Sequence, residues 1–235
     1  MALHLVKNNS VAIGVLDLQG GVHEHLDHLE RLGIAHKKVK SESDFKDLAG
    51  LIIPGGESSC IAKLLNIFEI KKTILNTHRD GMKIWGTCAG AILLAKKVIN
   101  ETPCLGLINM EIERNSFGSQ LDSFVKEALI PAVAAEPIPL TFIRAPKITK
   151  VGKNVQILLK IEDYIAAAEN ENVLVTVFHP ELTGCLALHR YFAIKCGLQP
   201  ASNKQDCIDR HWKSSSWTRL ARIASAELFQ QPERR

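Results

Sequence analysis

Apolar positions along this chain fall into short runs, each closed by glycine, proline or polar residues. Val11-Ala12-Ile13-Gly14-Val15-Leu16 is the first, and its unbroken hydrophobicity fits a parallel strand buried on both faces. It ends in Gln19-Gly20-Gly21. The spacing then predicts a helix over 22–32, with Gly33 as its C-terminal stop. Val39 belongs to a second strand, and Leu51-Ile52-Ile53 forms a third that closes on Pro54-Gly55-Gly56. A helix over 59–68 follows, and a further one precedes Asp80-Gly81. Lys83-Ile84-Trp85 is the strand that feeds Cys88, and 91–98 reads as the helix leaving it. Short apolar strands alternating with helices specify an α/β fold with a largely parallel sheet.

Past residue 105 the pattern changes. Between 105 and 161 it consists of short β-like runs separated by turns, among them Leu140-Thr141-Phe142-Ile143 and Val155-Gln156-Ile157-Leu158-Leu159. The segment 162–168 extends this series, 173–178 is a strong strand, and a helix over 186–196 closes the domain. The resulting division is an N-terminal extension at 1–10, one domain at 11–198 and a C-terminal tail at 199–235. In the tail, Trp217, Leu220, Ala221, Ala224 and Leu228 fall at helical spacing. That pattern fits either a frayed appendage or a docking helix.

Composition narrows the classes. The 235 residues are 46% hydrophobic and 23% charged, values of an ordinary globular chain. No run approaches the roughly 18 apolar residues of a membrane span. The opening Met1-Ala2-Leu3-His4-Leu5-Val6-Lys7 lacks the apolar stretch and cleavage site of a secretory signal. A cytoplasmic protein with no membrane partner is the expectation. The net charge of +4 is concentrated in the tail, where 204–235 carries seven Lys/Arg against four Asp/Glu. With a nearly neutral body, no nucleic-acid partner is expected. The six cysteines, at 60, 88, 104, 185, 196 and 207, form no C-x-x-C pair. Five read as reduced, mostly buried small hydrophobes, and Cys88 stands apart by its context.

Gly86-Thr87-Cys88-Ala89-Gly90, after a strand and before a helix, has the layout of a nucleophile elbow. The sharp turn strains the nucleophile's backbone, so small neighbours are required, and the helix start favours the reactive thiolate. In Phe178-His179-Pro180-Glu181, strand alternation puts His179 and Glu181 on one side. A histidine to take the thiol proton and a carboxylate to fix its tautomer are the two groups such a cysteine needs. Pro54-Gly55-Gly56-Glu57-Ser58 ends a parallel strand, where backbone N–H groups point into the ligand crevice. With the N–H of Ala89, Gly56 is placed to stabilise an oxyanion. The histidines at 23, 25 and 28 with Glu24 lack the i, i+4 spacing of a helical metal site. No phosphate loop or dinucleotide fingerprint is present, so no metal and no cofactor are expected.

These motifs together resemble the class I glutamine amidotransferases, whose triad is Cys-His-Glu. Within that class, Leu18-Gln19-Gly20, 54–58, Arg114-Asn115-Ser116-Phe117-Gly118-Ser119-Gln120, Phe142-Ile143-Arg144-Ala145-Pro146 and 178–183 resemble the glutaminase subunits of pyridoxal 5′-phosphate synthases. The blocks run in the family's order across about residues 11–192. The resemblance implies a flavodoxin-like, three-layer α/β sandwich. It implies L-glutamine as substrate, hydrolysed to glutamate and ammonia, and a (β/α)8-barrel synthase subunit as the partner receiving the ammonia. Carried onto matching positions, Cys88 is the nucleophile, His179 the base and Glu181 its orienter. Gly56, Glu57, Ser58, Arg114, Ile143 and Arg144 bind glutamine. Gln19 contacts the partner and completes the oxyanion hole, although a polar turn residue is the plainer reading of that position.

The chain departs from the family at Ser59-Cys60, where paired threonines are common, at Ser119 in place of arginine, and at Gly184-Cys185-Leu186 in place of a polar stretch. Two alternatives stay open at this level: a glutaminase serving another acceptor, as in imidazole glycerol phosphate synthase, and a catalytically silent assembly subunit.

Overall fold

The computed structural model describes residues 11–114, 124–201 and 206. The N-terminal extension, most of the Arg114 block and the proposed tail helix therefore lie outside the described residues.

Four parallel strands precede Cys88 or lead into it: β1 (Ala12–Leu16), β2 (His36–Val39), β3 (Leu48–Ile53) and β4 (Lys83–Thr87). Helices α1 (Val22–Arg31), α2 (Ser58–Ile67) and α3 (Ile70–Arg79) connect them. α1 and α2 lie within a residue of the predicted spans, α3 ends just before Asp80 as expected, and β3 begins three residues ahead of the apolar run 51–53. Gly33 adopts φ +66° just beyond α1, the left-handed backbone that ends a helix without strain at glycine.

The helix expected over 91–98 is shorter. α4 covers Ala89–Leu94, and Ala95–Val98 is a strand, β5. The N–H groups of Leu105 and Leu107 take the carbonyls of Leu93 and Leu94 at 2.9 and 2.8 Å. Those long-range bonds end the helical ladder, and β5 pairs in parallel with β6 (Ile108–Glu113).

The β-rich middle comprises β7 (Phe124–Ala128), β8 (Ile138–Phe142), β9 (Lys147–Val151), β10 (Gln156–Ile161) and β11 (Tyr164–Glu169). β12 (Val173–Thr176) and α5 (Ala187–Lys195) complete the domain. The large sheet runs β2-β1-β3-β4-β12-β11-β9-β6-β5, with β10 attached to β11. From β2 through β12 all pairings are parallel, and β11 turns the sheet antiparallel. β7 and β8 form a separate two-stranded ribbon.

Residues of β4 separate the two helical layers. Trp85, fully buried, packs its ring against His25 of α1 and against His189 and Phe192 of α5. The next residue, Gly86, faces the other way, where an added Cβ would lie 2.5 Å from Gly90 in α4. Successive strand residues point to opposite faces, so α1 and α5 cover one face and α4 the other. The three-layer α/β architecture is thus present. Ile53, Gly86 and Val175 stand side by side in register, which brings the carboxyl ends of β3, β4 and β12 together with that of β1. This is where open parallel sheets hold their ligands. Among the described residues no helix is long and apolar enough to cross a membrane.

Candidate active site

Cys88 sits between the last residue of β4 and the first of α4, with φ 48° and ψ −105°. A non-glycine residue in such a conformation carries strain of roughly 1–3 kcal/mol and persists only when its surroundings hold it. Its own N–H is fixed to Thr176 O at 2.8 Å. Gly90, the second residue of α4, presses so closely on β3 that an added Cβ would sit against the carbonyl oxygen of Ile53. The small residues around Cys88 are therefore a packing requirement of the turn.

His179 reaches the site by a route other than strand alternation. β12 ends at Thr176, and His179 instead caps a 3-10 turn, Pro180–Leu182. That turn, and not a pleat, directs both side chains the same way. The N–H of His179 binds Thr141 O of β8 at 2.8 Å, so the ribbon braces the loop. Phe142 lies between Phe124 and Phe178, with ring centroids at 4.5 and 5.5 Å. His179 Nδ1 donates to Glu181 Oε1 at 2.8 Å. Gly55 leaves room for the imidazole, since a Cβ there would strike His179 Cε1 and approach the Cys88 Cβ at 3.3 Å.

Burial opposes charge on these groups, and their neighbours overcome it. His179 is raised well above the usual histidine value despite its burial, because Cys88 and Glu181 both favour its protonated form through charge and hydrogen bonding. Burial would raise Glu181, yet His25 and His179 hold it down at about 2. The imidazolium form of His179 is the partner that a cysteine thiolate requires.

A cleft of about 550 Å³ opens over Cys88, and Gln19, Gly56, Glu57, Ser58, Ala89, Arg114, Ile143, Arg144, His179 and Glu181 all line it. Every site residue read from the sequence is therefore in one place. Glu57 is the hub of the far end. Its Oε2 accepts from Arg114 Nη2 at 2.7 Å, its Oε1 takes the same nitrogen, and Oε1 also caps α2 through Ser59 N–H at 3.2 Å. Arg114 Nη1 lies 3.4 Å from Glu101 as well. Gln19 Oε1 accepts the backbone N–H of Glu57 at 3.0 Å. Ile143 points its carbonyl at the Cys88 sulfur, 4.0 Å away, and Arg144 follows with φ 44°.

The cleft also takes in Ile92, Pro146 and Leu182, apolar wall residues whose type gave no chemical signal. Behind it, His25, His28 and His189 are buried. From sequence the first two suggest only metal ligands, and His189 gives no signal. The cysteine reading needs one correction. Cys60, Cys88, Cys104 and Cys196 are free, but Cys185 is disulfide-bonded. A sulfur brought within bonding reach of a second cysteine closes a bridge and no longer packs as an isolated thiol.

Comparison with known proteins places the chain in a family. The model of the SNO glutamine amidotransferase family matches residues 15–197. A pyridoxal 5′-phosphate synthase subunit PdxT from Syntrophus aciditrophicus (strain SB) is 62% identical over 211 residues, spanning 89% of this chain and 94% of that protein. The PdxT of Clostridium botulinum (strain Loch Maree / Type A3) is 47% identical over 187 residues, 79% of this chain and 97% of its own. A crystal structure of a glutamine amidotransferase matches with a TM-score of 0.75 at 38% identity, covering 80% of this chain and 100% of that one. The chain belongs to the SNO glutamine amidotransferase family.

Proposed function

We propose that this protein is the glutaminase subunit of a pyridoxal 5′-phosphate synthase, acting in the cytoplasm and passing ammonia to a synthase subunit. The observation that carries the chemistry is the His179–Glu181 hydrogen bond of 2.8 Å beside a cysteine held at φ 48°. The PdxT relatives support the pathway. The catalytic domain in this reading is 11–198, in keeping with the family match over 15–197.

The Cys88 thiolate attacks the side-chain carboxamide carbon of glutamine. The oxyanion that forms is met by the N–H of Ala89 and that of Gly56. His179, protonated and held by Glu181, gives its proton to the departing nitrogen, which leaves as ammonia with a glutamyl thioester on Cys88. Neutral His179 then takes a proton from water, whose oxygen attacks the thioester. Collapse releases glutamate and restores the thiolate–imidazolium pair. Glu57 and Arg114, with Ser58, Ile143 and Arg144, hold the amino-acid head group, whose two charges match a carboxylate and a guanidinium. Gln19, at the mouth, is the contact through which the synthase acts on the Gly56–Glu57 turn.

The test is co-purification with the cognate synthase followed by measurement of glutamate release. Synthase-dependent release that is lost in Cys88→Ala supports the reading. Release that does not rise with synthase would sink the activation claim, and no release from an assembled complex would favour a silent subunit.

A further inference from the structure

The proposed mechanism leaves unused a group of buried histidines directly behind the triad. His25 and His189 are 0% exposed and His28 is 3% exposed. We propose that His25 is a positioning residue of the hydrolytic site, giving Glu181 its second donor from the buried side, with His189 fixing the tautomer that makes this donation available. The inference rests on Cys88, His179 and Glu181 forming the triad.

Glu181 has two oxygens and only one is bonded. Oε1 takes the Nδ1–H of His179, whereas Oε2 is buried without a hydrogen bond. His25 Nε2 stands 3.6 Å from that oxygen. A buried carboxylate oxygen facing no donor is strongly unfavourable, so the state of His25 Nε2 matters.

The surroundings decide that state. His25 Nδ1 and His189 Nε2 are 2.8 Å apart, so one of them carries the proton between them. Were it on His25 Nδ1, neutral His25 would aim a lone pair at Glu181 Oε2. His189 would then carry its proton on Nδ1, which is buried without a partner. Both outcomes are unfavourable. With the proton on His189 Nε2, His189 Nδ1 is an unprotonated acceptor and His25 bears its proton on Nε2. That N–H faces Glu181 Oε2 and Thr87 Oγ1, the latter at 3.4 Å. The second arrangement wins on both counts.

His25 therefore acts as a neutral dipole. Burial, with the nearby positive forms of His28 and His179, outweighs the pull of Glu181 and lowers its pKa to about 4. The groups facing it are Glu181 and His179 from the catalytic turn, His28 from its own helix and His189 from α5. His28 lies against the same segment, its Nε2 3.0 Å from Thr183 O and its Nδ1 2.9 Å from Glu24 O, and the neutral ring donates to one of the two. Helix α1 thus packs on the His179–Glu181 segment through both histidines. A carboxylate pinned from both sides keeps its plane and its charge where His179 needs them.

Three variants separate this role from packing. In Gln the amide nitrogen lies as many bonds from the backbone as Nε2 does, in Asn it matches Nδ1, and Leu has no donor. In the synthase complex, His25→Leu and His25→Asn are expected to lower kcat for glutamate release ~10–100-fold with KM little changed. His25→Gln should recover most of that loss. Equal kcat in the Gln and Asn variants, both folded by circular dichroism, overturns the proposal even if the Leu variant fails to fold. A second readout needs neither glutamine nor partner: the pH profile of Cys88 alkylation by iodoacetamide, followed on the Cys88 peptide by mass spectrometry. Its inflection should move in the Asn and Leu variants and stay near wild type in Gln. An unmoved profile in all three also overturns the proposal. If the profile moves while no complex releases glutamate, the assigned function has failed and the positioning role stands.

Discussion

Glu57 and Arg114, 57 residues apart in the chain, are joined by two hydrogen bonds from one guanidinium nitrogen to both carboxylate oxygens. The same carboxylate caps helix α2, and the same residue's N–H is held by Gln19. The charged end of the cleft is therefore assembled before any substrate enters, and it is tied to the turn that carries Gly56. Preorganisation of this kind removes ordering entropy from the binding step.

The first expectation concerns Arg114. The pair is partly solvated, with side-chain exposures of 23% and 48%, so by itself it adds at most about 1 kcal/mol to folding. The role proposed for it is gripping the head group. Arg114→Gln should raise KM for glutamine ~10–100-fold, the value of a charge-assisted hydrogen bond, with kcat largely kept. A matched loss in kcat at unchanged KM in steady-state assays would mean that Arg114 acts in the transition state instead.

Glu181→Gln tests the orienting carboxylate. An amide at this position can present an N–H to His179 Nδ1, which favours the wrong tautomer. It also removes the charge that helps keep His179 protonated. A loss of ~10²–10⁴ in kcat is expected, by analogy with the serine-protease triad in which the equivalent change was characterised. Retention of more than a tenth of wild-type turnover would argue against a triad.

Two glycine substitutions distinguish clash from backbone strain. In Gly90→Ala the new methyl meets the Ile53 carbonyl, which is backbone of a central strand and does not yield. A loss of about 3 kcal/mol or more is expected. In Gly197→Ala nothing lies within 4 Å, and only the φ of +77° opposes the change, at about 1 kcal/mol. Urea midpoints that fall equally in the two proteins would refute the close approach at Gly90.

What the sequence made legible depended on how local the cause was. The demand for small residues around Cys88 comes from a tight turn within five residues, so the motif displays it directly. Glu181 was identifiable as a partner of His179, but the reason lay elsewhere: a 3-10 turn aligns them, because β12 stops at Thr176. The segment 95–98 follows a helix and becomes a strand because bonds from Leu105 and Leu107 end that helix and β6 pairs beside it, which local periodicity does not encode. His25 is the least local case. Its partner His189 is 164 positions away, and only the packing of α1 on α5 brings a histidine-rich helix up against the Glu181 carboxylate.

That same packing sets an acid limit on stability. His25 is lowered from 6.5 to about 4, chiefly by burial, and burial also lowers His28 and His189. Between those values the unfolded chain binds protons that the native state refuses, so stability falls as pH drops. His179 does not offset this. Its raised pKa makes its contribution complete below 6.5 and lost only as pH rises through the native value. Glu181, lowered to about 2, adds a further loss below about 4.5. His25 alone should withdraw about 2 kcal/mol between about pH 7 and about pH 5. Urea unfolding at those two pH values should show at least that decrease in wild type. In His25→Gln, which cannot titrate, the decrease should be smaller by about the same amount, with the remainder due to His28, His189 and the likewise lowered His78. Equal decreases in the two proteins would show that His25 is not the buried neutral donor the geometry requires.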